Sequence, residues 1–307
     1  MATGAGRLYK GFLLFLLLGI FLELAALVSV LRGESDPDGN IAVVEVVGEI
    51  VDPRGVVEKL KKFEKNEKVK AVVLRVNSPG GAVGASQEIH DEVVRLKAKK
   101  KIVVSMGDVA ASGGYYVSCP ANAIVALPAT LTGSIGVLGG KFVVNGLLDR
   151  IGLSTGAVQQ GEHARMWSAR RGFDEAERDR LDAELDAIYT AFVAKVAAGR
   201  GRAVAEIEPL ARGRVWTGRD AYDRGLVDEL GGLRDAARTA RRLAGLPVDA
   251  PLVPALHLPL IARLSQPRNS DDPRALMSTA LPTTTDLRAL VGPMSGVQLR
   301  MPDIRLR

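Results

Sequence analysis

Apolar positions fall along the chain in runs that change length and period. The first run, Gly11 to Leu31, is broken only by Glu23 and has the length of a bilayer-spanning helix, about 20 residues. After the polar stretch Ser35 to Asn40, the segment Ile41 to Ile50 (IAVVEVVGEI) is dense in Val and Ile and predicts a buried strand. Val56 to Lys68 carries Val57, Leu60 and Phe63 at helical spacing, its lysines on the other face. Ala71 to Val76 predicts a second strand, Ala85 to Leu96 a helix with Ile89, Val93 and Leu96 on one side, Lys101 to Met106 a third strand and Ala123 to Leu127 a fourth. Strands alternating with helices predict a parallel sheet covered by helices, an α/β fold. Further on, Asp174 to Ala198 is a long amphipathic helix with Leu181, Leu185, Ile188, Phe192 and Val196 along one stripe, closed by Gly199 to Gly201. Ala221 to Arg224 and Ala236 to Leu243 predict two more helices. From Pro247 to Pro302 prolines recur without helical or strand periodicity, which predicts an irregular tail.

The flanks of the first run give it a direction. Arg7 and Lys10 precede it and Glu34, Asp36 and Asp38 follow, so the amino end is expected in the cytoplasm and the remainder across the membrane. A cleaved signal peptide is the competing reading, but no clean small-x-small site follows Phe12 to Leu22. The expected organisation is a cytoplasmic amino end (1–10), a single transmembrane anchor or uncleaved signal (11–31), a linker (32–40), a catalytic-type domain (41–246) and a proline-bearing tail (247–307). This places the chain in the cytoplasmic (inner) membrane with its main domain outside.

Composition then narrows the chemistry. Lys and Arg number 41 against 35 Asp and Glu, scattered rather than massed, and aromatics are 5%, which excludes nucleic acid as an expected partner. Cys119 is the single cysteine and histidine occurs only at 90, 163 and 257. No intramolecular disulfide or cysteine-based zinc site can form, and neither a metal nor an organic cofactor is expected. The turns Ser78-Pro79-Gly80-Gly81 and Ser112-Gly113-Gly114 each follow a strand, yet neither fits GxxxxGK[ST] or GxGxxG, which disfavours phosphate or dinucleotide. Glycine lets backbone N–H groups approach a bound group closely, and such groups at a helix start stabilise developing negative charge. Ser112, between alanines and glycines, has room to meet a substrate carbonyl as a nucleophile. Serines beside glycines are also common as plain turn or cap residues. Tyr115 and Tyr116 are expected in the core, Trp216 in a packing hinge and His90 in a packing or surface position.

The segments NSPGG (77–81), DVAASGGYYVS (108–118), TGSIGV (132–137) and GRVWTGRDAYDRGLVDELGG (213–232) together resemble the signal peptide peptidase A (protease IV) family of membrane-anchored serine peptidases, in order and spacing. The resemblance implies a crotonase/ClpP-like fold of ββα units, assembly into homo-oligomeric rings or domes, and hydrolysis of signal peptides or other unfolded polypeptides outside the cytoplasm. It implies Ser112 as nucleophile, Gly81 as donor of an oxyanion N–H, with Gly113 as a second, and Ser134 as the residue that orients the general base. In short family members the base is a lysine in a KSGxxKD motif. Here the corresponding stretch is Gln159-Gln160-Gly161-Glu162-His163-Ala164-Arg165, with Ala164 in the lysine's place. Arg165 cannot replace it, because a guanidinium stays protonated. Lys141 and Lys195 are the only lysines after Ser112; Lys141 is the nearer in sequence to the active loops and is the candidate for a relocated base, and Lys195 is expected on a helix surface. Residues 133–152 and the GEHA stretch are similar to the carboxyl half of the longer, tandem members, which carries the serine while the amino half carries the lysine. A lysine-supplying paralogue is therefore an expected partner. The rival readings are a catalytically weak or inactive pseudopeptidase that acts as a peptide-binding or membrane-complex scaffold, and a crotonase-like acyl-CoA enzyme.

Overall fold

The computed structural model describes residues 40–253 and the backbone of 295–300. The expected anchor and linker, through residue 39, lie outside the described residues, as does most of the tail. Among the described residues no helix is long and apolar enough to cross a membrane.

The predicted strands form one parallel sheet. Its strands are β1 (Ile41–Val47), β2 (Ala71–Ser78), β4 (Lys101–Ala111), β5 (Ala123–Ala126), β9 (Glu229–Leu230) and β10 (Leu252–Val253), in the order β10-β1-β2-β4-β5-β9. The far half of β4 leaves β5 and pairs with β6 (Leu131–Gly133), and β8 (Val215–Thr217) adds antiparallel to β6. Alternation along each strand divides the side chains between two cores. Ala42, Val44, Val72, Leu74, Ile102 and Val104 face one side, where Leu60, Val93 and Phe192 meet them. Ile41, Val43, Ala71, Val73 and Val103 face the other, under Ala236 and Ala240. Burial on both faces is why these strands read as unbroken apolar runs.

The helices on the first side are α1 (Arg54–Lys65), α2 (Val83–Lys97), α3 (Gly113–Ser118) and α5 (Glu175–Arg200); α8 (Leu233–Ala244) covers the second. The start of α5 is fixed by a capping box between Asp174 and Glu177, and Gly201, left-handed at φ 63°, ends it. Shorter helices are α4 (Asn145–Arg150), α6 (Val204–Ile207) and α7 (Gly218–Asp223).

A second, antiparallel sheet corrects the expectation of a tail without strands. β3 (Gly80–Ala82) and β7 (Leu138–Lys141) flank β11 (Ser295–Arg300), which comes from the proline-bearing tail. Its register sets Leu299 opposite Gly81 and Gly296 opposite Gly140. Edge pairing of this kind uses backbone groups, so no side-chain period announces it.

Candidate active site

Ser112 stands where β4 ends and α3 begins, as the helix N-cap, with φ 51° and ψ −116°. A serine held at positive φ is strained backbone, of order 1–3 kcal/mol, maintained by its surroundings. The restraint here is the hydrogen bond from Ser112 N–H to the Gly133 carbonyl, at 2.9 Å. The next residue, Ser134, is also left-handed at φ 49°, and its N–H reaches the Arg214 carbonyl at 2.7 Å. The TGSIGV and GRVWTG motifs thus brace the Ser112 turn from behind. Trp216 completes the brace: its indole N–H donates to Leu210 O at 2.9 Å, and the Arg224 guanidinium lies 4.1 Å from its ring.

Gly81 and Gly113 meet beside this turn. A Cβ on Gly113 would stand 3.1 Å from Gly81 N and 3.0 Å from Gly80 Cα; one on Gly81 would stand 2.2 Å from Ile50 O. Neither position admits a side chain. Ile50 accepts from Ala82 N–H and donates to Gly80 O, both at 2.8 Å. Strand alternation therefore turns the N–H and C=O of Gly81 to the opposite edge, the edge along which β11 runs. In α3 the first hydrogen bond inside the helix is Tyr116 N–H to Ser112 O, so the N–H groups of Gly113 and Gly114 have no acceptor within the helix. Gly81 lies beside Gly113, the residue after Ser112, and Ser134 follows Gly133, whose carbonyl holds the Ser112 N–H.

The opening of the site differs from expectation. Ser112 is 0% exposed, and its Oγ has no hydrogen-bond partner among the described residues. Where the sequence predicts room for a substrate carbonyl, a strand of the same chain already lies along Gly81. The candidate base is engaged by other groups. Lys141 donates its ammonium to the Met166 carbonyl and lies 4.2 Å from the centre of the Phe173 ring; loss of hydration lowers its pKa. His163 and Ala164 are exposed.

Lys195 is not the plain surface residue expected. Its ammonium lies 3.2 Å from Asp91 Oδ1 and 3.4 Å from His90 Nδ1. His90, 5% exposed, bonds Asp91 at 2.8 Å and packs edge-on against Tyr116. Burial lowers the His90 pKa, outweighing the neighbouring carboxylate, which would raise it. Tyr115 and Tyr116 are core residues as expected, and Tyr115 O–H donates to Leu226 O at 2.8 Å. Cys119 is buried, its thiol pushed up to about 12 by burial. Among the described residues no cluster of His, Cys, Asp or Glu is arranged to hold a metal.

One polar residue at the site escapes the sequence reading. Ser86 Oγ, also buried and without a partner, lies 2.6 Å from the point where a Gly113 Cβ would sit. Its signal was a serine on the apolar stripe of α2, in line with Ile89, Val93 and Leu96.

Comparison with known proteins decides the family. The model for peptidase family S49 matches residues 94–247, and that for Clp protease matches residues 41–131. Protease 4 of Salmonella typhi is 41% identical over 226 residues, 70% of this chain and 36% of that protein. A putative protease of Synechocystis is 38% identical over 229 residues, covering 74% of this chain and 83% of that one. The chain belongs to the signal peptide peptidase A family, S49. A third relative, the chloroplastic serine protease SPPA of Arabidopsis thaliana, is 35% identical over 263 residues, 84% of this chain. The chain spans 38% of that S49 protein and 36% of the Salmonella one. The Clp protease match falls on the parallel sheet and the Ser112 turn, in agreement with a ClpP-like α/β fold.

Proposed function

We propose that the protein is a serine endopeptidase that takes extended polypeptide as an added strand, with Ser112 as nucleophile and the N–H groups of Gly81 and Gly113 as oxyanion donors. The observation that carries this reading is the pairing of β11 between β3 and β7, with Leu299 opposite Gly81. An edge that accepts one extended segment through backbone hydrogen bonds accepts others of the same shape. A substrate in that register presents a carbonyl to the Gly81 N–H beside Ser112. Attack by Ser112 Oγ would form an acyl-enzyme and release the amine fragment; water would then release the acid. Signal peptides and unfolded chains suit a groove of this form. The apolar run 11–31 would anchor the domain at the outer face of the cytoplasmic membrane.

Proton removal requires a base from another chain. Ser112 Oγ is unpartnered, and Ala164, at the family lysine's place, is exposed on its own subunit. The surrounding segment leaves Phe142, Leu147, Ile151, Leu153 and Val158 exposed, an apolar run that an oligomeric neighbour would cover. A lysine-bearing paralogue in a mixed assembly supplies the missing group. The same two observations favour one alternative, a pseudopeptidase that holds peptide without cutting it.

A fluorophosphonate probe separates the two. The expected result is slow or no labelling of the chain alone, and labelling on mixing with a lysine-bearing paralogue that is lost in Ser112→Ala. Labelling absent in every mixture, with peptide still bound, would establish the scaffold instead.

A further inference from the structure

We propose that Ser86 is a positioning residue of the Ser112 site, its hydroxyl reserved to donate a hydrogen bond to the Ser112 oxygen as that oxygen becomes anionic. The inference rests on the serine-peptidase reading and assigns that site a further residue.

A buried helical serine ordinarily has a partner at hand, the carbonyl one turn back. Ser118 uses it, donating to Gly114 O at 2.6 Å. Ser86 has the carbonyl of Ala82 one turn back and does not use it; its Oγ is buried with no partner among the described residues. An unpaired buried hydroxyl is destabilising, by about 1–3 kcal/mol. A second such hydroxyl, that of Ser112, belongs to the neighbouring turn. Ser86 Oγ adjoins Gly113, the residue after Ser112: a Cβ there would lie 2.6 Å from Ser86 Oγ and 3.1 Å from Gly81 N. Any side chain at 113 would crowd the Ser86 hydroxyl. Ser86 also lies in the first turn of α2, a helix of 15 residues, where helix N–H groups add positive potential. A donor there is unengaged in the resting protein and matched to charge that develops only in the reaction.

The proton accounting is simple. Ser112 gives its proton to the base and its oxygen bonds the carbonyl carbon. Ser86 keeps its own proton throughout and only points it at the Ser112 oxygen while that oxygen loses its proton; the charge then passes to the carbonyl oxygen, which the Gly81 and Gly113 N–H groups face.

Two measurements on the full chain test this. In the mixed assembly, Ser86→Ala is expected to slow fluorophosphonate labelling of Ser112 by about ten- to a hundredfold, the worth of one hydrogen bond to a charged group. Its melting temperature should stay level or rise, because an unpaired hydroxyl has been removed. A residue that merely supports the fold would give the reverse pattern, labelling unchanged and melting lowered, and that result overturns the proposal. The second measurement needs no activity. Ser112→Cys carries a thiol whose ionisation is followed by thiolate absorbance, with Cys119 subtracted through Ser112→Ala. Adding Ser86→Ala should raise the thiol midpoint by about one pH unit; an unmoved midpoint refutes the role of Ser86. If the unmutated chain takes no label in any mixture, the peptidase reading fails, and the thiol midpoint alone decides whether Ser86 faces position 112.

Discussion

Gly81 is the residue on which the site depends most. Gly81→Ala would place a methyl group 2.2 Å from the Ile50 carbonyl oxygen, and the backbone of β3 must shift to accept it. The expected cost is about 1–3 kcal/mol, read as a lower melting temperature, with Ser112 labelling in the mixed assembly abolished because the Gly81 N–H no longer aims at the carbonyl. Labelling at the unmutated rate would remove Gly81 from the oxyanion site. At this scale the candidate residues were legible where they depend on residue type. A serine amid alanines and glycines, and a glycine pair after a strand, keep their meaning without coordinates. What was not legible is environment. Nothing around Ser112 in sequence reveals that its oxygen is enclosed, nor that Ser86 of a different helix reaches Gly113 beside it, because both depend on how α2 packs on α3.

Between elements, the contact of α2 with α5 carries a pH dependence. His90 on α2 is buried against Tyr116 of α3 and is faced by Asp91 of its own helix and Lys195 of α5. Its pKa is lowered, first by burial, so the unfolded chain takes up the proton before the folded one does. Stability is therefore full above the unfolded value of about 6.5 and declines as pH falls below it. Melting temperature measured from pH 7.5 to 5 should fall, and His90→Gln should flatten that part of the fall; an identical slope in the variant would show that His90 is not the group responsible. Helix and strand types were legible because each buries a regular stripe or run: α5, β1, β2 and β4 stand where the periodicity predicts. Lys195 was misread because a single cation among alanines resembles a surface position, while its partners lie on another helix. β7 and β11 were missed because LGGK is poor in side chains and SGVQLR sits among prolines, so their pairing is a matter of backbone alone.

For the whole molecule, the tail in the groove has a direct consequence. Removing residues 295–307 should leave the parallel sheet intact and clear the β3–β7 edge. Peptide binding is expected to tighten by about tenfold or more, since an intramolecular strand competes at high effective concentration, and Ser112 labelling in the mixed assembly should rise accordingly. Unchanged binding would mean that the tail does not compete for that edge. The distance between motifs matters in another way. Tyr115, on the helix that Ser112 caps, is fastened to Leu226 across 111 residues, and the Ser112 turn leans on Gly133, which is in turn backed by Trp216. A ribosome making this chain releases Ser112 long before the parts that shape its turn. The turn takes its shape only once nearly the whole domain has emerged, so its geometry is a property of the finished fold and not of the growing chain.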